Sequence, residues 1–425
     1  MLSIENSPKL RFKDIYGKDY PKWEEKKLEE LPILILDGNY GELYPKADEL
    51  LNEGIPFIRV NNLKDSKIVN KDMKYISKEL HNILLSGHLK IGDVLISTRG
   101  EIGITAYVEK DYEDANINAQ LCLIRVTDSY LNSKFLLYLF QNTNVQKQFK
   151  KLQTGSVLKQ LPKRNLVKLK VNFPIIKEQQ KIADFFSSVD LLIDTYQNKL
   201  DFITILKKAF LQKLFPRDCK KKPDLRFPGF TDDWKKYALK EFGNATSGSS
   251  IESEFSENGI YKVINIGSYS EESKYRDQGI RAIDSEKTHK QLLNKNDLTM
   301  ILNDKTASGN IIGRVLLIDI SNTYVYNQRT ERIELNCQKF YPLFVYEMLN
   351  APDIRKKIIQ QAQGNTQIYV NWSNISLTEY MVPILSEQQI LGEFFHLIDK
   401  LIMLHQRKLE ILQNIKKGLL QQMFV

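Results

Sequence analysis

The side chains in this chain that could do chemistry on a partner are cations and amides. Between positions 129 and 177 there is no Asp or Glu, while Lys134, Lys147, Lys150, Lys151, Lys159, Lys163, Arg164, Lys168, Lys170 and Lys177 all fall in that window. Such a run neutralises phosphates and makes affinity salt-dependent. It is interrupted by Gly155, Ser156, Gln160 and Asn165, small or amide residues suited to close backbone approach and base-edge contact. A second acid-free window, 354–378, holds only Arg355, Lys356 and Lys357 but adds Gln363, Asn365, Thr366, Gln367, Tyr369, Asn371 and Trp372. Lys and Arg position a protein on the backbone, whereas Asn and Gln pair with adenine and Arg with guanine. A charge run is more often a solvated helix face. The interleaved amides favour nucleic-acid contact, with the first window carrying more of the salt-dependent affinity.

The candidate contacts are Arg59, Asn61, Asn62, Lys64, Arg99, Lys147, Lys150, Lys151, Ser156, Lys159, Gln160, Lys163 and Arg164 in the first half of the chain. In the second half they are Asn265, Lys305, Asn310, Arg314, Asn365, Thr366, Gln367, Tyr369 and Asn371. The balance of 61 Lys+Arg against 52 Asp+Glu, net +9, agrees with a polyanionic partner.

Catalytic signatures do not appear. There is no GxxxxGK[ST] or GxGxxG phosphate loop, no HExxH, GxSxG or kinase set, and no Asn-Pro-Pro-aromatic tetrad for a flipped adenine. Acid pairs such as Asp232-Asp233 and Glu271-Glu272 read as surface. Cys122, Cys219 and Cys337 are far apart, which suits a reducing cytoplasm. The five histidines show no zinc spacing, His81 and His88 being the nearest pair, so no metal is expected. The start of the chain lacks an apolar signal core, and no run of about 18 apolar residues suggests a membrane span.

The elements that must position these residues are duplicated. Pro174 opens a segment that ends at Phe215 and recurs without a gap from Pro383 to Phe424, about two-fifths identical, at an offset of 209. The same offset aligns Phe135 with Phe344 and Gly155 with Gly364, and Leu10-Arg11-Phe12 recurs as Leu225-Arg226-Phe227, each followed by a Trp, Trp23 and Trp234. A length of 425 residues allows two to four domains.

Each repeated segment carries a heptad stripe. The first runs Ile182, Phe186, Val189, Ile193, Tyr196, Leu200, Ile203, and the second Leu391, Phe395, Ile398, Ile402, His405, Leu409, Leu412. After Ile203 the first stripe shifts to Leu206, Phe210 and Leu214, a local change of winding. Each segment predicts a helix of about 38 residues, roughly 57 Å long. Such a helix must bury its stripe, and the paired reading puts the two against each other, antiparallel or parallel, with an antiparallel coiled coil as the expected fold. The alternative packs each on its own globular segment. His405 reads as a half-buried seam residue, not a ligand.

The remaining segments predict an α+β class, two pseudo-repeated globular α/β domains with short strands. Strand-like runs include 57–60, 93–97, 121–126, 315–318 and 330–335, and 135–149 and 342–359 read as one or two amphipathic helices each. The expected divisions are 1–173 and 217–382 as globular domains, the latter opening on a polar linker from Arg217 to Pro223, with 174–216 and 383–425 as helices.

This pattern resembles the specificity (S) subunit of type I restriction–modification systems. The resemblance rests on Leu225-Arg226-Phe227-Pro228-Gly229-Phe230 with Trp234, on Pro174 with Glu178-Gln179-Gln180 repeated as Pro383 with Glu387-Gln388-Gln389, and on Ile91-Gly92-Asp93-Val94-Leu95-Ile96 and Gly100-Glu101-Ile102-Gly103. It covers nearly the whole chain. Asn296-Asp297-Leu298-Thr299-Met300 and Ser308-Gly309-Asn310-Ile311-Ile312-Gly313 depart from these phrases, and Lys9-Leu10-Arg11-Phe12-Lys13 lacks the Pro-Gly-Phe.

The resemblance implies a non-catalytic subunit with two target-recognition domains, each reading half of a bipartite double-stranded DNA site. It further implies two spacer helices, two modification (methyltransferase) subunits as partners and restriction (translocase-nuclease) subunits joining them. S-adenosylmethionine, ATP and Mg²⁺ would reside in those partners. The residues by themselves also admit a nucleic-acid-binding adaptor, a self-contained nuclease and a structural coiled-coil scaffold.

Overall fold

The computed structural model describes residues 7–38, 44–217, 220–305 and 307–425. Its contacts divide the chain into two compact units, and the division falls inside both long helices. One unit is Met1–Gln197 with Arg407–Val425, the other Asn198–Gln406. Within the expected linker, Asp218 and Cys219 lie outside the described residues. Among the described residues no helix is long and apolar enough to cross a membrane.

In the first unit a four-stranded antiparallel sheet runs in the order Ile33–Asp37, Leu121–Val126, Val94–Ser97, Thr105–Tyr107. Both faces are covered. Val94, Ile96, Cys122 and Ile124 join a core with Trp23, Phe135 and Phe186, while Leu95, Leu121 and Leu123 join another with Ile58 and Ile117. Alternate residues of a strand face opposite sides, so burial on both sides gives an unbroken apolar run where a half-exposed strand would alternate. A smaller sheet orders Lys74–Ile76, Ile55–Ile58 and Asn116–Ile117.

The second unit repeats the plan. Its sheet runs Gly243–Ser247, Thr330–Leu335, Leu298–Ile301, Val315–Leu317, and its smaller sheet Arg281–Ala282, Tyr261–Ile264, Tyr324–Tyr326. Each of the two amphipathic stretches, 135–149 and 342–359, breaks into two helices. Ser133–Gln141 and Thr143–Leu152 meet at Asn142, whose Oδ1 accepts from Asn144 N to start the second. Pro342–Asn350 gives way to Pro352–Ile359, because Pro352 cannot continue a helix but can begin one.

The two family-like phrases form one joint. Glu178, buried at the start of the first long helix, takes a bidentate pair from Arg11 (Nε to Oε1 3.0 Å, Nη2 to Oε2 2.6 Å). Arg226 clamps Glu387 likewise at 2.8 and 2.7 Å. Planar fork-to-carboxylate pairing of this kind is strong and directional. The next residue, Gln179, accepts from Asn132 N at 2.9 Å and donates to Pro174 O at 2.8 Å; Gln388 accepts from Tyr341 N and donates to Pro383 O. The departure at Asn296 changes little: Gly92 has φ +92° and Asn296 φ +74°, and Asn tolerates this left-handed region best after Gly. Asp93 and Asp297, which follow, are both buried and paired, with Arg125 and Arg332.

The long helices span Ile176–Lys213 and Leu385–Gln422, 38 residues each. In the first unit Asp190 pairs with Lys416 at 2.7 Å, and Lys408 lies 4.4 Å over the Tyr196 ring. In the second, Lys207 pairs with Asp399 at 2.7 Å and Phe210 meets Phe394 edge-on at 5.1 Å. Within each unit one number rises as the other falls, so the helices run antiparallel.

Their C-terminal ends complete the cores. Phe424 packs on Trp23, Phe135 and Phe186, with ring centroids at 6.1, 5.4 and 5.9 Å. Phe215 packs on Trp234, Phe344 and Phe395 at 6.4, 5.7 and 5.8 Å. Each repeat thus supplies the closing aromatic of the unit that holds the other repeat's tryptophan.

The stripe residues divide by depth. Ile182, Phe186, Leu391 and Phe395 are fully buried, but within the globular cores, so for these turns the helix does pack on its own globular segment. Ile398 and Leu409 are buried too. Val189, Ile193, Tyr196, Leu200, Ile203, Ile402, His405 and Leu412 are half-buried, as expected where two helices have only each other. Leu214, at the end of the shifted stripe, is buried beside Phe215.

One joint differs between units. In the second, Lys207 reaches both Asp399 and the buried Glu347, the latter at 3.0 Å, and Lys274 pairs with Asp399 at 2.6 Å. In the first, Tyr138 stands at the place of Glu347 and donates to Asp190 at 2.9 Å. Burial pushes the Glu347 carboxyl up to about 7, against the pull of Lys207, with Asp399 adding to the rise. Burial also acts on Asp399, but Lys207 and Lys274 overcome it and hold its carboxyl below the ordinary value. An acid whose folded pKa is raised holds more protons folded than unfolded. Its contribution to stability therefore falls as pH rises from about 4.5 through about 7. Replacing Glu347 with Gln removes that loss. The Tm of Glu347→Gln minus that of the wild type should increase between pH 5 and pH 8; a difference independent of pH would contradict the assignment.

Candidate nucleic-acid interface

The middle of the first acid-free window, 143–166, folds as a helix, a hairpin and a helical turn. In Thr143–Leu152, Val145 and Phe149 point into the core, which leaves Lys147, Lys150 and Lys151 on the exposed face. Thr154 and Gln160 then exchange both backbone hydrogen bonds, at 2.8 and 3.0 Å. Gly155 makes the loop possible: φ is +92°, and a Cβ there would lie 2.4 Å from the Leu158 carbonyl oxygen. The loop presents Ser156, Val157, Leu158 and Lys159 to solvent, with Val157 89% and Leu158 86% exposed.

The hairpin is tied to the large sheet. Leu161 N donates to Thr98 O at 2.8 Å, and Arg99 bridges to Gln160. Pro162 opens the turn Lys163–Leu166, which Asn165 Nδ2 fastens to Leu152 O at 2.8 Å. Arg99, Gln160, Lys163 and Arg164 thereby line one cleft of about 250 Å³ with Asp37 and Thr98. Burial pushes the Asp37 carboxyl up, while Lys163 and Arg99 pull it back down.

The second unit builds the same hairpin from different residues. Gln363 and Tyr369 exchange backbone bonds at 2.9 Å each, and Gly364, at φ +99°, would put a Cβ 2.2 Å from Gln367 O. Its loop exposes Asn365, Thr366 and Gln367. Ile368–Tyr369 pairs with Asn303–Asp304, with Tyr369 exposed opposite Asn303 and Gly309 close to the Ile368 side chain. Asn371, exposed, precedes the turn Trp372–Ile375.

Two residues that the sequence reading left off the site hold the glycine loops. Gln146 Nε2 donates to Gly103 O at 2.8 Å and to Phe140 O at 2.7 Å. Arg355, 209 positions later, donates to Ile312 O at 2.8 Å and Gly309 O at 3.1 Å. Burial, with Arg314 near by, pulls its guanidinium down to about 10. Asp304 accepts from Ile311 N at 2.9 Å. The signal that could have found Gln146 and Arg355 was the repeat offset, which puts both one helical turn before a buried residue facing a glycine loop, Phe149 and Ile358.

Other candidates lie elsewhere or are occupied. Asn62 is fully buried and its amide donates to Val69 O and Lys71 O, so it shapes a turn and is not presented to a ligand. Arg59 beside it donates to Asp72 O, and Asn61 and Lys64 are exposed on this same turn, apart from the hairpin. Asn265 caps a short helical turn by accepting from Gly267 N. Arg314 is half-buried, donating to Asn310 O and Ser273 Oγ, and Asn310 donates to Glu271. Burial holds the Arg314 guanidinium below its ordinary value. These are loop-forming side chains in the folded chain. Lys305 is exposed, and its neighbour Thr306 lies outside the described residues. Although the sequence shows no metal-ligand spacing, the fold brings His81, His88 and Asp114 together.

Comparison with known proteins locates this architecture. The pattern of the type I restriction modification DNA specificity domain matches twice, over residues 20–204 and 231–414. The MjaVIII type I restriction enzyme specificity subunit of Methanocaldococcus jannaschii is 25% identical over 382 residues, 86% of this chain and 84% of that protein. The MjaIX specificity subunit of the same organism is 25% identical over 377 residues, 83% of each. Among solved structures, the type I restriction–modification S subunit from M. genitalium superposes with a TM-score of 0.61 at 15% identity, covering 99% of both chains. A chain solved in work on complex assembly and conformational transition of the type I system gives 0.55 at 14% identity, covering 95% of this chain and 97% of its own.

If the first hairpin and its flanking helices lie on a phosphate backbone, their lysines set part of the salt dependence. Neutralising Lys147, Lys150, Lys151 and Lys163 together should flatten the slope of log affinity against log salt by about 3–4, at roughly 0.9 per phosphate contact. An unchanged slope in a titration of the complex on duplex DNA would remove them from the interface.

Proposed function

Since the chain belongs to the type I restriction–modification DNA specificity family, we propose that each of its halves reads one part of a bipartite duplex site. The supporting observation is the hairpin built twice on the same glycine geometry with different loop residues. Ser156-Val157-Leu158-Lys159 in one and Asn365-Thr366-Gln367 in the other give two readers of one design and unlike preference. A lysine-rich surface holds phosphates, and the amides of the second loop are the donors and acceptors that pair with adenine edges. A wrong base pair would cost about 1–3 kcal/mol. Joining two readers in one chain makes the second contact intramolecular, so both must engage for full affinity.

On this reading the antiparallel helices fix the gap between half-sites, and their outer faces carry the partners. Leu191, Ile411 and Ile415 in one unit, and Phe202, Ile205, Leu397, Leu401 and Leu404 in the other, are large apolar side chains left exposed on these helices. Exposed apolar surface of this extent marks an interaction site. Two methyltransferase subunits are its proposed occupants, with restriction subunits joining them. Adenine must leave the stack to be methylated, and that step, with S-adenosylmethionine, ATP and Mg²⁺, is assigned to those partners. The chain would work in the cytoplasm, with the DNA.

Inserting a few residues between Leu200 and Lys208 should alter the number of unspecified base pairs and leave both half-site sequences as they were. Long-read methylation mapping in cells that also carry the partner genes reads this directly. Changed half-sites with an unchanged gap would overturn the assignment of roles.

A further inference from the structure

The first unit brings together three metal-ligand side chains that the DNA-reading role does not use. His81 lies in the helix Lys78–Ile83, His88 just before a core leucine, and Asp114 on the turn before Asn116–Ile117. Their ligand atoms all fall within 4.8 Å of one another. His81 Nε2 is 3.2 Å from Asp114 Oδ2, and His88 Nδ1 is 3.7 Å from Asp114 Oδ1. A tetrahedral zinc with bonds of about 2.0–2.1 Å separates its ligand atoms by roughly 3.3 Å.

The outer contacts select the nitrogens. His88 Nε2 donates to Leu84 O at 2.7 Å, which leaves the Nδ1 lone pair of the neutral ring aimed at Asp114. His81 Nδ1 meets Asn116 Oδ1 and Nε2 lies 3.2 Å from Asp114 Oδ2; with the ring proton on Nδ1 the Nε2 lone pair is available to a cation shared with that carboxylate, whereas a proton on Nε2 makes the contact a hydrogen bond. Where His88 Nδ1 and His81 Nε2 both carry lone pairs, they and the carboxylate repel one another unless a proton or a metal ion sits among them. Histidines that bind a metal through one nitrogen regularly donate the other N–H to a carbonyl or carboxylate, which is what Leu84 and Asn116 accept here. Asp114 holds φ +61°, with its N–H bonded to Leu89 O at 2.9 Å, so its backbone is held beside the two histidines.

The fold does not require this trio. In the second unit the helix Glu286–Lys290 starts from Ser285 as Lys78–Ile83 starts from Ser77, and His289 occupies the place of His81. Leu292 stands before Leu293 where His88 stands before Leu89. Asn322, at φ +59° with its N–H on Leu293 O, takes the place of Asp114. The same turns form without the other two ligands.

We propose that His81 Nε2, His88 Nδ1 and Asp114 bind one divalent transition cation of the zinc class, with solvent as fourth ligand. The Asp114 side chain is 70% exposed and that of His88 35%, which leaves the outer position open. Bound there, the cation staples a helix, a loop and a turn on the small-sheet side of the first reader.

The test uses the full-length chain, stripped with chelator and titrated with Co²⁺, then displaced with Zn²⁺. The proposal expects the visible d–d bands of a four-coordinate site at one equivalent, with Zn²⁺ abolishing them. His88→Leu and Asp114→Asn, which install the second unit's own residues, should each remove the bands while circular dichroism stays native. Asn116→Ala, which loses only an outer contact, should weaken Zn²⁺ by about 10–100-fold. Absence of the bands, or bands and affinity that all three variants leave unchanged, would overturn it. So would an NMR titration showing that a proton alone bridges the trio, with no Zn²⁺-dependent shift of either imidazole.

Discussion

The aromatic end of each long helix seals a core that its own repeat does not build. Phe424 closes the pocket among Trp23, Phe135 and Phe186, and Phe215 the pocket among Trp234, Phe344 and Phe395. An aromatic side chain buries 150–250 Å² of surface, more than most residues contribute to a small core. Because each seal arrives on the other repeat's helix, the antiparallel pairing follows from core completion as much as from the heptad stripe. The Asp190–Lys416 and Lys207–Asp399 pairs then set the register.

Around that exchange the duplicated motifs have separate duties. Arg11–Glu178 and Arg226–Glu387 lock the chain's entry onto the head of each helix, and Gln179 and Gln388 knit the helix to the preceding loop. Gln146 and Arg355 hold the glycine loops from beneath. With the scaffold fixed by these pairs, the hairpin tips are free to differ. That is where the two halves diverge most in chemistry: apolar and cationic in one, amide-rich in the other.

Much of the architecture was legible in the sequence because it rests on local period. The helix lengths, the stripe shift after Ile203 and the strand runs all follow from side-chain spacing. The core role of Ile182 and Leu391 was not, since a heptad position says that a face is buried but not against what. The exchange itself was hidden, because Phe215 and Phe424 stand at equivalent places and nothing local says which core each enters. At the candidate site, residue type misled wherever a polar side chain serves the backbone: Asn62 and Asn265 shape turns. The His81–His88–Asp114 group joins residues up to 33 apart through the backbone bonds of Leu89 with Asp114 and Ala115, which spacing rules cannot see.

Hydrogen exchange on two truncations tests the exchanged seal most directly. Phe424→Ala should strip protection from Leu121–Val126 and the helix Ser133–Gln141, and Phe215→Ala from Thr330–Leu335 and the helix Pro342–Asn350. Protection lost in the reverse pattern, each truncation loosening the globular segment of its own repeat, would contradict the account.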